Sequence, residues 1–171
     1  MNVQQVILDI NLWLKHGSGY TATTTYKDIM QYFTNASDGE SFALRLLIHY
    51  VGDIHQPCHS IARVDSTYPA GDNGCNSVSL PSLDGASNLH AVWDSVLYEE
   101  PGTQTLPFSS STWSSYGTLA ASIATANPVP TSAYHNSDPA AWSAENSAYA
   151  PTLYSSVIPG KALTSTYIAS A

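Results

Sequence analysis

The sequence predicts an all-α fold, a mainly helical single domain with a long loop and at most a short hairpin. Apolar residues recur at the three- and four-residue spacing of amphipathic helices along most of the chain. No series of alternating strands interrupts them. With 171 residues, 43% of them apolar and 11% charged, the chain can bury one core of ordinary size. Neither an internal repeat nor a linker divides it, so residues 1–171 are expected to form one domain.

Three helices are predicted in the first third of the chain. One spans residues 3–14, stops at Gly17-Ser18-Gly19 and has an apolar face formed by Val3, Val6, Ile7, Ile10, Trp13 and Leu14. The second is short and carries Tyr26, Ile29, Met30 and Phe33. The third is expected to be capped by Asp38, to end or kink at Pro57, and to turn inward Phe42, Leu46, Leu47, Tyr50 and Val51.

The rest of the chain is predicted to be loop followed by further helices. Residues 60–87 are rich in Gly, Asp, Ser, Asn and Pro, with a brief strand expected at residues 77–80. A helix capped by Asn88 should run to about Glu99. Another has an apolar face of Trp113, Tyr116, Leu119 and Ile123, and Ser137-Asp138-Pro139 opens one that carries Trp142. No clear stop signal follows Pro159-Gly160.

The charge balance excludes a broad basic surface. Thirteen acidic residues stand against five basic ones, which gives a net charge of −8. Any polyanion must therefore be bound locally, and bound metal cations could provide a focused positive site. No stretch reaches the roughly 18 to 20 apolar residues of a membrane span, and the start of the chain lacks the pattern of a signal peptide.

The most informative residues are histidines and aspartates at metal-binding spacing. His49 with Asp53, and His90 with Asp94, each lie four residues apart, so each pair shares one face of a helix. His59 lies beyond Pro57 and is rotated away from the first pair, which favours a different ion for it. His59, His90 and Asp94 then form a His₂Asp set with a free fourth position, the arrangement of catalytic zinc.

Less specific interpretations apply to the other candidates. A single His-x-x-x-Asp pair is more often a hydrogen bond on a helix surface than a metal site. His16 and His135 are expected to be solvated, and His55 to support the site rather than bind metal. Core packing is favoured over base stacking for Trp13, Trp113 and Trp142.

Three segments resemble the zinc-dependent single-strand nucleases and 3′-nucleotidases of fungi, plants and protists, which are related to the zinc-dependent phospholipases C. They are His49-x-x-Gly52-Asp53-x-His55-Gln56-Pro57-x-His59, Asn88-Leu89-His90-x-x-Trp93-Asp94, and the intervening Gly71-Asp72-Asn73-Gly74-Cys75-Asn76. The resemblance implies a helical fold with three zinc ions in a cleft. It implies a phosphodiesterase that cuts single-stranded DNA or RNA to 5′-nucleotides, and a possible 3′-nucleotidase.

The resemblance also assigns roles to residues. His49 and Asp53 would bind paired ions, with Asp53 bridging them and orienting the attacking water, while His59, His90 and Asp94 would hold the third ion. Gly74 and Asn76 match the loop that binds the base, although Cys75 replaces a glycine of that loop. If that glycine is needed at positive φ, a side chain there costs on the order of 1 kcal/mol.

The family's other ligands have no counterpart in this sequence. They are an N-terminal tryptophan, a histidine just after it, and an aspartate and a histidine that precede the first helix. The chain is therefore expected to be a partial nuclease domain, lacking parts at both ends, that holds one zinc well and the pair poorly. An inactive remnant that binds one zinc and a phospholipase C-like hydrolase remain as alternatives.

Compartment and assembly follow only from the resemblance. It implies a secreted or endolysosomal monomer that acts on nucleic acid or nucleotides and does not bind membranes. Asn35-Ala36-Ser37 would then be a glycosylation site. Cys58 and Cys75 are compatible both with a disulfide and with two unpaired thiols.

Overall fold

The computed structural model describes residues 2–83, 85–95, 107–131 and 133–170. Within these ranges the chain forms helices and one antiparallel pair of strands, which confirms the predicted mainly helical class with a short hairpin. The helices are α1 Val3–Leu14, α2 Thr24–Met30, α3 Ala36–Ile54, α4 Leu89–Asp94, α5 Ser110–Ala126, α6 Pro139–Ser147, α7 Ala150–Tyr154 and α8 Ser165–Ser170. The strands are β1 Ser79–Leu83 and β2 Ala86–Asn88.

Helices α1, α2 and α3 form the first apolar cluster, built on Ile10, Trp13, Ile29 and Ala43. Trp13 is almost fully buried and its ring meets the edge of Tyr26 at a centroid distance of 4.8 Å. The first helix has the predicted bounds, with Asn2 as its cap. The second begins after Thr23, which caps it, and ends before Phe33.

The predicted start of α3 was wrong. Asn35 caps this helix by accepting a hydrogen bond from the Asp38 backbone N–H at 2.8 Å, so Asp38 lies in the first turn. Its carboxylate is still favourable there because the helix dipole is positive at that end. Phe42 is more exposed than expected, whereas Gly39, Ala43 and Ile54 are buried. The helix ends at Ile54, and Pro57 opens a single 3₁₀ turn, Pro57–His59.

A second apolar cluster surrounds the hairpin and positions α4. It comprises Cys58, Cys75, Val78, Leu80, Ala86, Leu89, Val92, Leu153, Val157 and Tyr167. In the hairpin Ser79 pairs with Asn88 and Leu83 with Ala86, with an irregularity between them. The strand thus begins later than the predicted residues 77–80. Asn88 ends β2 and caps α4, as predicted, by accepting from the Ala91 N–H at 2.8 Å.

The predictions for the later helices were partly wrong. Helix α4 ends at Asp94, and the expected continuation to Glu99 lies outside the described residues. Helix α5 forms as expected, but Trp113 is 67% exposed and Ile123 51% exposed, so core packing for Trp113 was wrong. Helix α6 opens at Ser137-Asp138-Pro139 as predicted, with Asp138 as its cap, whereas α7 and α8 had no clear sequence signal. No helix in the described ranges combines the length and hydropathy of a membrane span.

Candidate metal centre

Three of the predicted ligands converge at the junction of two segments. His59 ends the 3₁₀ turn after α3, while His90 and Asp94 lie on the first and last turns of α4. One donor atom from each lies within 4.8 Å of the other two. The His59 and His90 rings meet edge to face with centroids 4.6 Å apart. In the described part of the chain this is the one group of three such residues with that spacing.

Hydrogen bonds orient the His90 ring toward this cluster. Its Nδ1 lies 2.7 Å from the carbonyl oxygen of Gly74. A carbonyl can only accept, so Nδ1 carries the proton and Nε2 of the neutral ring keeps its lone pair. That Nε2 lies 3.5 Å from Asp94 Oδ2. The loop carbonyl therefore selects the tautomer that a metal site requires.

Gln56 holds Asp94 in a similar way. Its side-chain amide donates to Asp94 Oδ1 at 2.7 Å, leaving Oδ2 directed toward His90. The other end of the Gln56 side chain accepts from the Cys58 backbone N–H. Gln56 thus ties the turn that carries His59 to the carboxylate on α4. Sequence reasoning assigned this residue no role, and its place beside Pro57 in the motif was the available signal.

The residues of the other predicted pair also meet. His49 Nε2 lies 3.2 Å from Asp53 Oδ2 on α3, and the His49 side chain is largely exposed. These two residues alone do not complete a site among the described residues, since the group of three does not include them. His55 points elsewhere, as expected. Its Nδ1 lies 2.6 Å from the Val51 carbonyl, and its ring packs on Trp142 at 4.9 Å.

The loop from Gly71 to Ser77 is anchored to the core by one of its own residues, the buried Asp72. This fully buried carboxylate accepts from the Arg63 backbone N–H at 3.1 Å and from the Tyr154 hydroxyl at 2.6 Å. Burial, and then the bond to Asp72, raise the pKa of Tyr154 well above its ordinary value, so the hydroxyl keeps its proton. Asp72 and Tyr154 therefore fix the loop whose carbonyl orients His90. Neither was singled out for this role from the sequence.

The two predicted base-binding residues lie in this loop. Gly74 has a φ of +56°, and a Cβ added there would lie 2.5 Å from the Cys58 carbonyl oxygen, so a side chain would clash with backbone. The Asn76 side-chain nitrogen donates to the Asn73 carbonyl at 3.0 Å and lies 3.2 Å from His90 Nδ1. Cys75 has a φ of +65°, the conformation that was expected to be costly for a residue replacing glycine.

Cys58 and Cys75 are buried next to each other as unpaired thiols. Interaction between the two thiols raises the pKa of Cys58 and lowers that of Cys75. Cys75 also lies 3.4 Å from the Tyr154 hydroxyl. The two cysteines therefore belong to the second apolar cluster, which also contains Leu89 and Val92 of α4.

The donor set of the cluster suits a zinc ion. Two imidazoles and a carboxylate, with room for a fourth ligand, are the donor set of catalytic zinc sites. Tetrahedral ligands at about 2.1 Å from zinc lie about 3.4 Å apart, close to the 3.5 Å between His90 Nε2 and Asp94 Oδ2. His59 is exposed and can close the remaining gap by a rotation of its side chain. The proton on His90 Nδ1 leaves the correct nitrogen for the metal.

Comparison with known proteins places the chain among nucleases. A family model described as S1/P1 Nuclease matches residues 10–171. Nuclease S1 of Aspergillus oryzae is 35% identical over 85 residues, which cover 49% of this chain and 26% of that protein. Endonuclease 2 of Arabidopsis thaliana is 34% identical over 87 residues, covering 48% and 27%. Nuclease P1 of Penicillium citrinum is 32% identical over 82 residues, covering 47% and 27%.

These alignments span about a quarter of each relative's own length. No solved structure gave a significant match. The family model, in contrast, extends over nearly all of the chain, including both predicted ligand pairs and the loop between them.

Proposed function

The chain belongs to the S1/P1 nuclease family, and on that premise we propose that it carries part of the active site of a zinc-dependent phosphodiesterase that hydrolyses single-stranded DNA or RNA. The convergence of His59, His90 and Asp94 carries the proposal. His59 lies far from His90 and Asp94 in the sequence, and scattered surface histidines would not share a space small enough for one ion. The matched relatives are all named as nucleases or endonucleases, which does not favour a phospholipase.

His59, His90 and Asp94 would hold one zinc ion, and His49 and Asp53 would contribute to a second position. Zinc bound there supplies Lewis acidity, which stabilises negative charge on the oxygens of a phosphodiester during displacement. Asp53 is the candidate for orienting the attacking water, because its carboxylate oxygen can accept a hydrogen bond and is only partly exposed. Gly74 and Asn76 lie beside His90 and are the candidates for contacting a base.

The low number of basic residues makes the metal positions important for binding. Arg63 is already engaged, since its Nε donates to Asp65 Oδ2 at 2.5 Å. The bonds from the Tyr68 and Thr67 backbone and from Arg63 lower the pKa of that carboxyl, so the ion pair persists in mildly acidic solution. Substrate phosphate would therefore be bound chiefly at the metal centre and not by a basic surface. This favours a flexible single strand that can enter a local site.

The test measures zinc content and hydrolysis together, on the 171-residue chain and on any extension that its reading frame encodes. The substrates are a single-stranded oligonucleotide, the matching duplex, a 3′-mononucleotide and phosphatidylcholine, each with and without chelator. Cleavage of the single strand to 5′-phosphate ends, lost with chelator and with His90→Ala, supports the proposal. Zinc binding by these chains with no hydrolysis of any phosphodiester would favour a zinc-binding remnant, and hydrolysis of phosphatidylcholine alone would contradict the nuclease assignment.

A further inference from the structure

The contact between Cys58 and Cys75 has no role in the proposed reaction. Cys58 is 3% exposed and Cys75 is fully buried, and both side chains belong to one buried apolar cluster. Each is the chain neighbour of a residue that builds the three-residue cluster. Cys58 precedes His59, and Cys75 follows Gly74, whose carbonyl orients His90. A link between the two sulfurs would therefore connect the turn that supplies His59 to the loop that orients His90.

We propose that Cys58 and Cys75 form an intramolecular disulfide that clamps the turn carrying His59 to the loop that orients His90.

Backbone packing favours this bond. The Gly74 backbone lies so close to the Cys58 carbonyl that a side chain at residue 74 would clash with it. The turn that carries Cys58 and the loop that carries Cys75 are thus already in contact without a disulfide. Closing the bond needs only a short approach of the two sulfurs, because folding has already brought both ends together.

The conformation of Cys75 also points to a compensating interaction. Its φ of +65° lies in the left-handed region, which a glycine would adopt without strain. A side chain at this position therefore destabilises the loop unless that side chain makes a favourable contact. In this core Cys75 packs in the same apolar cluster as Cys58, and its sulfur lies 3.4 Å from the Tyr154 hydroxyl. A covalent bond to Cys58 would hold the loop in this conformation.

The oxidant would be a small-molecule disulfide such as oxidised glutathione. One cysteine thiolate attacks a sulfur of glutathione disulfide, which releases one glutathione thiolate and leaves a mixed disulfide. The other cysteine thiolate then attacks the protein sulfur of that mixed disulfide and releases the second glutathione. Two protein thiols are oxidised, one glutathione disulfide is reduced, and the two protons of the protein thiols pass to the two released glutathione thiolates. Both thiols are buried in the folded chain, so the exchange belongs to folding or to local opening.

The clamp would slow loss of metal from the cluster. In the reduced chain the turn and the loop can separate, and the two imidazoles then no longer meet. With the disulfide closed, that opening is prevented and zinc leaves more slowly. This consequence rests on the proposed metal site, whereas formation of the disulfide does not.

The first experiment tests the bond itself. Purified chain is equilibrated over a series of glutathione redox ratios, quenched in acid, alkylated in urea and analysed by intact mass and peptide mapping. We expect one Cys58–Cys75 cross-link that persists when reduced glutathione is in large excess, and an unfolding equilibrium constant about two orders of magnitude smaller than in the reduced chain. Cys58→Ser and Cys75→Ser are the matched controls, in which no intramolecular cross-link can form. Two alkylated cysteines at every ratio, or mixed disulfides alone, would overturn the proposal.

The second experiment tests the clamp. Oxidised chain and chain reduced with a phosphine are loaded with zinc, and transfer of zinc to a chromogenic chelator is followed over time. We expect transfer to be about tenfold faster after reduction. This factor is the lower end of the loss in metal affinity when a group that holds a metal ligand in place is removed. The double Cys58→Ser, Cys75→Ser variant should show no response to the phosphine. Equal rates in the oxidised and reduced chains would refute the clamp, and a cross-linked chain that binds no zinc would refute the proposed function while leaving the disulfide intact.

Discussion

Replacing Asp94 with asparagine gives the most direct test of the three-residue cluster. The substitution removes one negative charge and keeps the shape of the side chain. The Gln56 amide, which donates to Asp94 Oδ1 at 2.7 Å, can donate equally well to the carbonyl oxygen of an asparagine. About half of the Asp94 side chain is exposed, so the expected cost to folding is within roughly 0.5 kcal/mol. A loss of zinc affinity would then report on ligation and not on misfolding.

The expected loss can be estimated from the ligand count. Structural zinc sites with four protein ligands bind the ion with about 10 to 16 kcal/mol, so one protein ligand is worth roughly 3 kcal/mol. Since each 1.4 kcal/mol is a factor of ten, the dissociation constant should rise by about 100-fold. An amide oxygen is a weaker ligand for zinc than a carboxylate and should recover little of this.

The assay is competition for zinc with a chelating dye at neutral pH. Asp28→Asn is the matched control, because Asp28 is an exposed acid on α2 and the substitution makes the same change in net charge. The control should bind zinc like the unmodified chain. An Asp94→Asn chain whose zinc affinity stays within about twofold of that control would refute the assignment of Asp94 as a ligand.

Four further outcomes are expected. Gln56→Ala should weaken zinc binding by about 10- to 100-fold, measured by the same dye titration, because Asp94 loses the amide donor that orients it. Gln31→Ala is the control and should leave the titration unchanged, because the Gln31 amide donates only to an exposed backbone carbonyl on α2. In urea denaturation Trp13→Ala should lose about 3 to 5 kcal/mol of unfolding free energy and Trp113→Ala less than about 0.5 kcal/mol; equal losses would contradict the burial of the first and the exposure of the second. Elemental analysis of dialysed chain should find one tightly held zinc, and three would contradict the expectation that His49 and Asp53 alone bind weakly. Burial raises the pKa of Tyr167 to about 12 from an ordinary 10, so the stabilising contribution of this residue is complete below pH 10 and is lost as the pH rises toward 12. In the Tyr167→Phe variant the free energy of unfolding should therefore depend less on pH between 10 and 12. An unchanged slope would argue against a buried hydroxyl.

The helices and the proximity of His90 to Asp94 were predictable from the sequence because both depend on local spacing. The four-residue interval placed His90 beside Asp94, and Pro57 separated His59 from α3. The start of α3 was misplaced because Asn35 and Asp38 are both good caps and hydrogen-bond to each other, so spacing alone could not rank them. Sequence periodicity also predicted a buried face for α5. It identifies an apolar stripe but does not tell whether anything within the chain covers that stripe.

The contacts that orient the ligands were not predictable, because they join residues far apart in the chain. Tyr154 reaches Asp72 across 82 positions, and Gln56 reaches Asp94 across 38. No periodicity links such residues, and each is unremarkable where it stands. Yet these contacts distinguish the two histidine–aspartate pairs of this chain, since both pairs have the same spacing. His90 has a carbonyl on Nδ1 and a neighbouring carboxylate, Asp94, held by Gln56. His49 is largely exposed and contacts Asp53 alone among the carboxylates that the structure describes. The difference between the two pairs therefore lies in the loop from Gly71 to Ser77 and in Gln56. It predicts that the His90–Asp94 pair binds metal more tightly than the His49–Asp53 pair.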